Sequence, residues 1–478
     1  MPFLKSYLNQ LKLPLPDILK DSEEIEAGYL EHIEDEIALL FPNLVKAKYS
    51  EEVSKAKLKV GVVLSGGQAS GGHNVIYGLF EGLKKLNEES QLIGFLNGPG
   101  GIVDDKTRIL DQEFVSKFWN TGGFDMIGSG RTKIEAPEQF KKSLETVQRH
   151  QLDALIVIGG DDSNTNAALL AEYFLAHDQP TAVIGVPKTI DGDLKNEAIE
   201  ISFGFDTATK TYAEMVGNLL IDALSAKKYW FFIRLMGRSA SHITLEVAHK
   251  THPNLTLISE ERRDLHDIVK EIADLVRERA KAGKNYGMVL VPEGLIEFLP
   301  EVPKDFLEGM PVSYDSHGNL EVSKLETEKL LIELVKKELK GEVPFDTQAL
   351  FFGYEGRSAY PSFFDGTYTY ALGRTTALLA AKRATGQIAT VGNLKAPVED
   401  WTARGSPLLS MIVLEERKGK EKPVIQKALV DLEGPHYESF KAQEGAWRVE
   451  DDYRSPGPIQ HWGPDEVVKS RPFILSGL

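Results

Sequence analysis

The feature that most restricts this chain is a unit it uses three times: a short apolar run that ends in a glycine- or aspartate-rich loop and, in the first two, opens into a helical segment. Lys59-Val60-Gly61-Val62-Val63-Leu64 runs into Ser65-Gly66-Gly67-Gln68-Ala69-Ser70-Gly71-Gly72. Ala154-Leu155-Ile156-Val157-Ile158 runs into Gly159-Gly160-Asp161-Asp162-Ser163, and Thr181 to Val186 ends in Pro187-Lys188-Thr189-Ile190-Asp191-Gly192-Asp193. Strands that are apolar throughout have to be covered on both faces, which predicts a parallel sheet flanked by helices. Ligands of such sheets sit at the carboxyl ends of the strands, where these three loops fall.

A second series follows at Trp230-Phe231-Phe232-Ile233-Arg234-Leu235, Leu255-Thr256-Leu257-Ile258, Gly287-Met288-Val289-Leu290-Val291 and Ala349-Leu350-Phe351-Phe352. Between the last two, Lys324 to Leu339 has helical spacing, with Ser323 and Glu326 as a capping box and Gly341 as the stop. The expected fold class is therefore α/β, with two Rossmann-like parallel-sheet lobes, residues 58–235 and 236–400, facing each other across a cleft. Residues 1–57 carry Ile25, Leu30, Ile33, Ile37, Leu40 and Phe41 at helical spacing, which predicts a helical N-terminal extension. Residues 401–478 are too mixed for their packing to be read.

Composition narrows the function. With 478 residues, 42% of them hydrophobic, the chain can build more than one core. A net charge of -16 argues against nucleic acid or an anionic membrane as the main partner. An anionic ligand then requires basic residues gathered locally against that field. The absence of cysteine excludes disulfides, thiolate nucleophiles and cysteine zinc sites, so any metal must sit on oxygen or imidazole. No segment approaches the ~20 apolar residues of a membrane span. Met1 to Lys20, interrupted by Pro14 and Pro16, does not read as a signal peptide, so a cytoplasmic protein is expected.

Each loop admits a chemical and a plain reading. Four glycines between a strand and a helix let backbone N–H groups converge on an anion, or they merely supply unusual dihedrals. Asp161 and Asp162 repel each other and invite a cation such as magnesium, or Asp162 only begins a helix. Asp191 and Asp193, just after Lys188, offer a proton acceptor, or they form a solvated turn. Arg238, ending Met236-Gly237-Arg238, and Arg357, ending Tyr354-Glu355-Gly356-Arg357, present rigid forks for phosphate oxygens, or they form surface ion pairs.

Taken in order, Gly66-Gly67-Gln68, Gly159-Gly160-Asp161-Asp162-Ser163, Pro187 to Asp193, Met236-Gly237-Arg238, Pro292-Glu293-Gly294 and Tyr354-Glu355-Gly356-Arg357 resemble the phosphofructokinase family, in its diphosphate-dependent branch of long chains, over about Leu58 to Gly392. The resemblance implies reversible phosphate transfer from diphosphate to the 1-hydroxyl of fructose 6-phosphate, a glycolytic step that uses Mg²⁺. It implies that Asp191 is the base, that Asp161 holds the metal and that Gly67 offers its backbone to diphosphate, so that residues 58–235 carry the donor. Thr189, Ile190 and Asp193 would flank the reacting centre. Met236, Gly237, Arg238 and Glu293, with Tyr354, Glu355, Gly356 and Arg357, would hold the sugar phosphate. Lys228 and Tyr229 match a position that reaches a neighbouring subunit's site, which implies a homodimer or homotetramer.

The resemblance also assigns the donor to two residues. ATP-using relatives have glycine where this chain has Asp162, and commonly glycine at Lys188. A carboxylate at 162 would repel a nucleotide α-phosphate, whereas the Lys188 ammonium would neutralise the departing phosphate. Ser70 stands where proline is usual. The competing readings are an ATP-dependent enzyme of the same fold, separated by position 162, and a catalytically silent regulatory subunit, which should lack carboxylates that Asp161, Asp191 and Asp193 supply.

Overall fold

The strands Ala154–Gly159 and Ala182–Pro187 are buried at every position and run parallel, in register from Ala154 opposite Ala182 to Gly159 opposite Pro187. Lys59–Leu64 lies parallel on the other side of Ala154–Gly159, with Leu64 opposite Ile158. The three loops read from the sequence thus leave one edge of one sheet. The computed structural model describes residues 11–21, 24–30, 32–299, 326–417, 419–457, 469 and 471–476. Within them the first sheet has eight strands, in the order Glu26–Ala27, Thr402–Pro407, Gln387–Gly392, Ala182–Pro187, Ala154–Gly159, Lys59–Leu64, Gln91–Phe95 and Thr107–Leu110. Two pairings are antiparallel, Gln387–Gly392 with Thr402–Pro407 and Gln91–Phe95 with Thr107–Leu110.

The second sheet orders Thr347–Phe352, Trp230–Leu235, Gly287–Pro292 and Leu255–Thr256, all parallel. The α/β fold with two parallel-sheet lobes stands, but the lobes do not divide at 235/236. Trp230–Leu235 belongs to the second sheet, and the chain returns to the first with Gln387–Gly392 and Thr402–Pro407. Helix length accounts for the shift. Phe205–Ala226 spans 22 residues, about 33 Å at 1.5 Å per residue, and carries the chain across before Trp230. Phe363–Ala381 brings it back.

These two helices are joined at their N-termini. Asp365 accepts hydrogen bonds from the Gly204 N–H (3.0 Å), the Thr207 N–H (2.8 Å) and the Thr207 hydroxyl (2.5 Å). Its carboxylate thereby satisfies orphan donors of the other helix. Burial, with Asp206 alongside, pushes the Asp365 carboxyl up to about 7.

Among its described residues the N-terminal extension is helical in pieces, Asp17–Asp21 and Asp35–Leu40, with a 3-10 turn at Leu44–Lys46. Between them Glu26–Ala27 adds a parallel edge strand against Arg404 and Gly405, and Gln387 bonds both backbone groups of Gly28. The open sheet edge overrides the helical spacing there. Leu40, expected inside, is 48% exposed, whereas Ile25, Ile37 and Phe41 are buried. The later helix is observed from Thr327 to Leu339, with Lys340 in the left-handed conformation just before Gly341; Ser323 of the expected capping box lies outside the described residues. The C-terminal segment wraps both lobes. Its hairpin Ile412–Arg417/Lys420–Ile425 packs Ile412 and Ile425 into the first, and helix Pro435–Val449 stacks Trp447 on His252 of the second. No helix among the described residues is long and apolar enough to cross a membrane.

Helix Gly72–Leu86 meets Phe363–Ala381 at backbone contact, because a Cβ on Gly373 would collide with the Val75 carbonyl and one on Gly78 with that of Tyr370. Gly445, in Pro435–Val449, has nothing within 4 Å of such a Cβ. Gly373→Ala should therefore lower unfolding free energy by about 1–3 kcal/mol. Gly445→Ala should leave it unchanged or raise it by up to about 1 kcal/mol. Urea denaturation of both variants checks the contrast, and equal effects would refute the close-packing account.

Candidate active site

The two sheets present their carboxyl ends to one cleft of about 520 Å³. From the first come Gly66, Gly67, Asp161, Asp162, Lys188, Thr189, Ile190, Asp191 and Asp193; from the second, Met236, Arg238, Glu293, Tyr354 and Arg357. Gly237, Glu355 and Gly356 do not line it but shape it. The Gly237 N–H donates to Glu293 (3.1 Å), and the Glu355 carboxylate accepts from the Gly353 N–H (2.8 Å). Gly356 leaves room for the Tyr212 ring, whose hydroxyl donates to the Gly353 carbonyl (2.5 Å). Lys228 and Tyr229 lie at the opposite end of Trp230–Leu235, outside the cleft.

The glycine loop does two jobs. Gly71 and Gly72 pack against Thr369 and Phe124, and the Gly66 N–H is committed to the Gly130 carbonyl (2.9 Å). Only Gly66 and Gly67 of the four glycines face the cleft, so the expected convergence of all their N–H groups is corrected to a bare surface approached by cations. A Cβ on Gly66 would lie 3.6 Å from Lys188 Nζ, and one on Gly67 would lie 3.4 Å from the Arg357 guanidinium and 3.6 Å from that of Arg131. Ser70 closes the loop by donating its hydroxyl to the Ala359 carbonyl (2.6 Å).

Asp161 and Asp162 are the first two residues of helix Asp161–Ala176, after the cap at Gly160. Asp162 pairs with Lys133 at 3.0 Å rather than capping the helix. Asp161 lies 3.6 Å from Lys427, which also stands 3.8 Å from Asp193. Burial lowers Lys188 to about 8, with Asp191 and Asp161 holding it up. Burial raises Asp191 to about 7, Asp193 and Glu293 adding to the rise while Lys188 and Lys427 oppose it. Asp193 is likewise raised by burial against the pull of Lys427. A carboxylate with a near-neutral proton affinity beside a buried ammonium suits proton removal from an alcohol coupled to neutralisation of a charged leaving group.

The cations bear on the plain and chemical readings. Arg131, Lys188, Arg238 and Arg357 line the cleft, and among the described residues none of their side chains forms an ion pair within 4 Å or a hydrogen bond. Surface ion pairs do not account for Arg238 or Arg357. Four such cations in a chain of net charge -16 make a site for polyanions. Among the described residues no cluster of three or more histidine or acidic side chains could hold a metal alone. The oxygen donors of Asp161 and Asp193 nevertheless fit a magnesium ion that takes its other ligands from phosphate and water, and the Lys427 ammonium marks that spot as one favouring positive charge.

Sequence reasoning missed Arg131, Lys133, Ser239 and Lys427, which all line the cleft. Gly128-Ser129-Gly130-Arg131 was a glycine-flanked basic signal, but no apolar run precedes it. Gly130 is instead docked beside Ser65 by an isolated bridge. Lys427 lies in the segment that could not be placed from the sequence.

A family model described as phosphofructokinase matches residues 59–379. A pyrophosphate–fructose 6-phosphate 1-phosphotransferase subunit beta 2 of Arabidopsis thaliana is 47% identical, over 97% of this chain and 92% of its own length. A pyrophosphate–fructose 6-phosphate 1-phosphotransferase of Porphyromonas gingivalis is 46% identical, over 94% of each. Among solved structures, a pyrophosphate-dependent phosphofructokinase from Nitrosospira multiformis shares the fold with a TM-score of 0.63 at 18% identity, covering 86% of this chain and 96% of that one.

Proposed function

The chain belongs to the phosphofructokinase family, and from that premise we propose how its cleft divides the work of a pyrophosphate–fructose 6-phosphate 1-phosphotransferase. The enzyme moves a phosphoryl group from diphosphate to the 1-hydroxyl of fructose 6-phosphate, leaving fructose 1,6-bisphosphate and phosphate. The observation that carries our reading is the set of unpaired cations, Lys188 at the bare glycine loop and Arg238 across the cleft, with Asp191 in the same cleft.

Asp191 takes the proton of the 1-hydroxyl as that oxygen attacks the terminal phosphorus. The bond from that phosphorus to the bridging oxygen breaks, and Lys188 neutralises the charge gathering on the departing phosphate. Asp191 is held for this by its N–H, which donates to the Thr189 hydroxyl (3.1 Å). Arg238 and Arg357 supply forks for phosphate oxygens, and Glu293 fixes the turn that carries Arg238. Magnesium on Asp161 would draw charge from the phosphoryl oxygens. Asp162, kept at the mouth by Lys133, would exclude the α-phosphate of a nucleotide.

We further propose that the enzyme is at least a dimer. Lys228 and Tyr229 stand one six-residue strand, about 20 Å, from Met236. That separation supports their serving a neighbour's site. A cytoplasmic location is proposed because sugar phosphates and diphosphate, being multiply charged, do not cross membranes unaided.

Comparing diphosphate with ATP at fixed fructose 6-phosphate tests the donor assignment. Wild type should turn over with magnesium diphosphate and hardly at all with ATP. Asp162→Gly, which removes bulk and charge, should shift the ratio of kcat/KM toward ATP by about tenfold or more. A preference for ATP in wild type, or an unmoved ratio in the variant, would refute the role of Asp162.

The pH profile tests the base and its neighbour. Asp191 works deprotonated, so kcat/KM should rise as pH rises through about 7; Lys188 works protonated, so it should fall as pH rises through about 8. Lys188→Arg keeps its charge at higher pH and should move the alkaline limb upward, the substrates' own ionisation being common to both proteins. Asp191→Asn should lose about 10²–10⁴-fold in kcat while binding fructose 6-phosphate within a few-fold. An alkaline limb that stays in place, or an Asp191→Asn protein with normal kcat, counts against these roles.

A further inference from the structure

Lys427 reaches the reacting centre from outside the matched family region, which ends at residue 379. The strap that carries it is anchored on both sides of the cleft. The Ile425 N–H donates to the Thr165 hydroxyl (3.1 Å) and the Ala428 N–H to the Asp193 carbonyl (2.8 Å), both in the first lobe. The Val430 N–H donates to Glu260 (2.9 Å), and the Ala428 carbonyl meets His242 Nε2 (3.0 Å), both in the second. These bonds fix the backbone on either side of Lys427, so its ammonium is delivered to one place.

There it donates to the Ser239 hydroxyl at 2.6 Å. The carboxylates of Asp161 and Asp193, at 3.6 and 3.8 Å, are attracted but stand beyond hydrogen-bond length. An ammonium has three N–H donors, so two of them lack an acceptor among the described residues. An ammonium so fixed, beside Asp161 in the cleft that Lys188 also lines, is placed to bind an anion.

We propose that Lys427 is a donor-binding residue, its ammonium contacting the diphosphate beside Asp161 and Asp193. The inference rests on the diphosphate reading of the cleft. Its physical basis is charge balance. Asp161, Asp191 and Asp193 gather three carboxylates where an anionic metal–diphosphate complex has to sit, and Lys188 alone does not offset them. Lys427 supplies the second cation on that side. The other role its contacts allow is a latch between lobes through Ser239, which would act on both substrates alike.

The test uses Lys427→Met, which keeps the stem and removes the charge, and Lys427→Arg, in the full chain, with folding checked by thermal denaturation. Magnesium imidodiphosphate, an analogue that cannot transfer, and fructose 6-phosphate are titrated separately by calorimetry. Loss of affinity in Lys427→Met should be at least about fivefold greater for the imidodiphosphate than for the sugar phosphate, with Lys427→Arg recovering most of it. A smaller difference, or equal losses for both ligands, overturns the donor-binding role. A Lys427→Met protein that does not fold passes the test to Lys427→Ala and Lys427→Gln, judged by the same ratio. If wild type neither binds imidodiphosphate nor uses diphosphate, the functional reading fails; if wild type does both and the ratio is flat, only this inference fails.

Discussion

The parallel register of Lys59–Leu64, Ala154–Gly159 and Ala182–Pro187 is the constraint from which the site follows. It brings Leu64, Gly159 and Pro187 to one edge, so three loops distant in the chain leave the sheet side by side. Backbone hydrogen bonds continue past the strands, from the Ser65 N–H to the Ile158 carbonyl and from the Lys188 N–H to the Gly159 carbonyl. The first residue of each of these two loops is therefore still part of the sheet. A one-residue slip would turn the side chain of Lys188 from the cleft toward the core.

Burial then sets the chemistry. Lys188 is 6% exposed and Asp191 lies in the same cleft, so desolvation drives their proton affinities toward each other, the lysine downward and the aspartate upward. Each resists the other's shift, because the charged forms attract. Neither value would arise on an exposed loop.

Much of this was legible in the sequence because it obeys local rules. An apolar run predicts a buried strand, and polar residues at its end predict a ligand, which located Gly67, Asp161, Asp162, Lys188, Asp191, Asp193, Arg238 and Arg357 in one cleft. What could not be read depended on tertiary placement. Arg131 reaches the cleft because Gly130 is docked beside Ser65, and Lys427 because its strap hydrogen-bonds to Asp193. No pattern near either residue encodes the partner. Glu26–Ala27 is a strand only because the Thr402–Pro407 edge is there to receive it, which also explains why the helical N-terminal extension is interrupted at that point. The boundary between lobes was misplaced for a related reason, since sheet membership is a property of pairing and not of chain order.

The paired aspartates show how adjacent residues can serve opposite ends. As the first two residues of a helix, Asp161 and Asp162 point about 100° apart. The sequence suggested that one cation relieves their repulsion. Instead each faces its own ammonium, Asp161 that of Lys427 and Asp162 that of Lys133. The first carboxylate shares the Lys427 ammonium with Asp193, where a metal–anion complex would be met on the proposed reading, and the second is half-exposed and paired with Lys133, where on that reading it would narrow the range of anions that can enter. A single helix start thus sets two carboxylates in different surroundings one residue apart. The electrostatic field of the chain as a whole, which is negative, does not have to change sign for the cleft to hold anions, because among the described residues no carboxylate stands within 4 Å of the side-chain charges of Arg131, Lys188, Arg238 and Arg357.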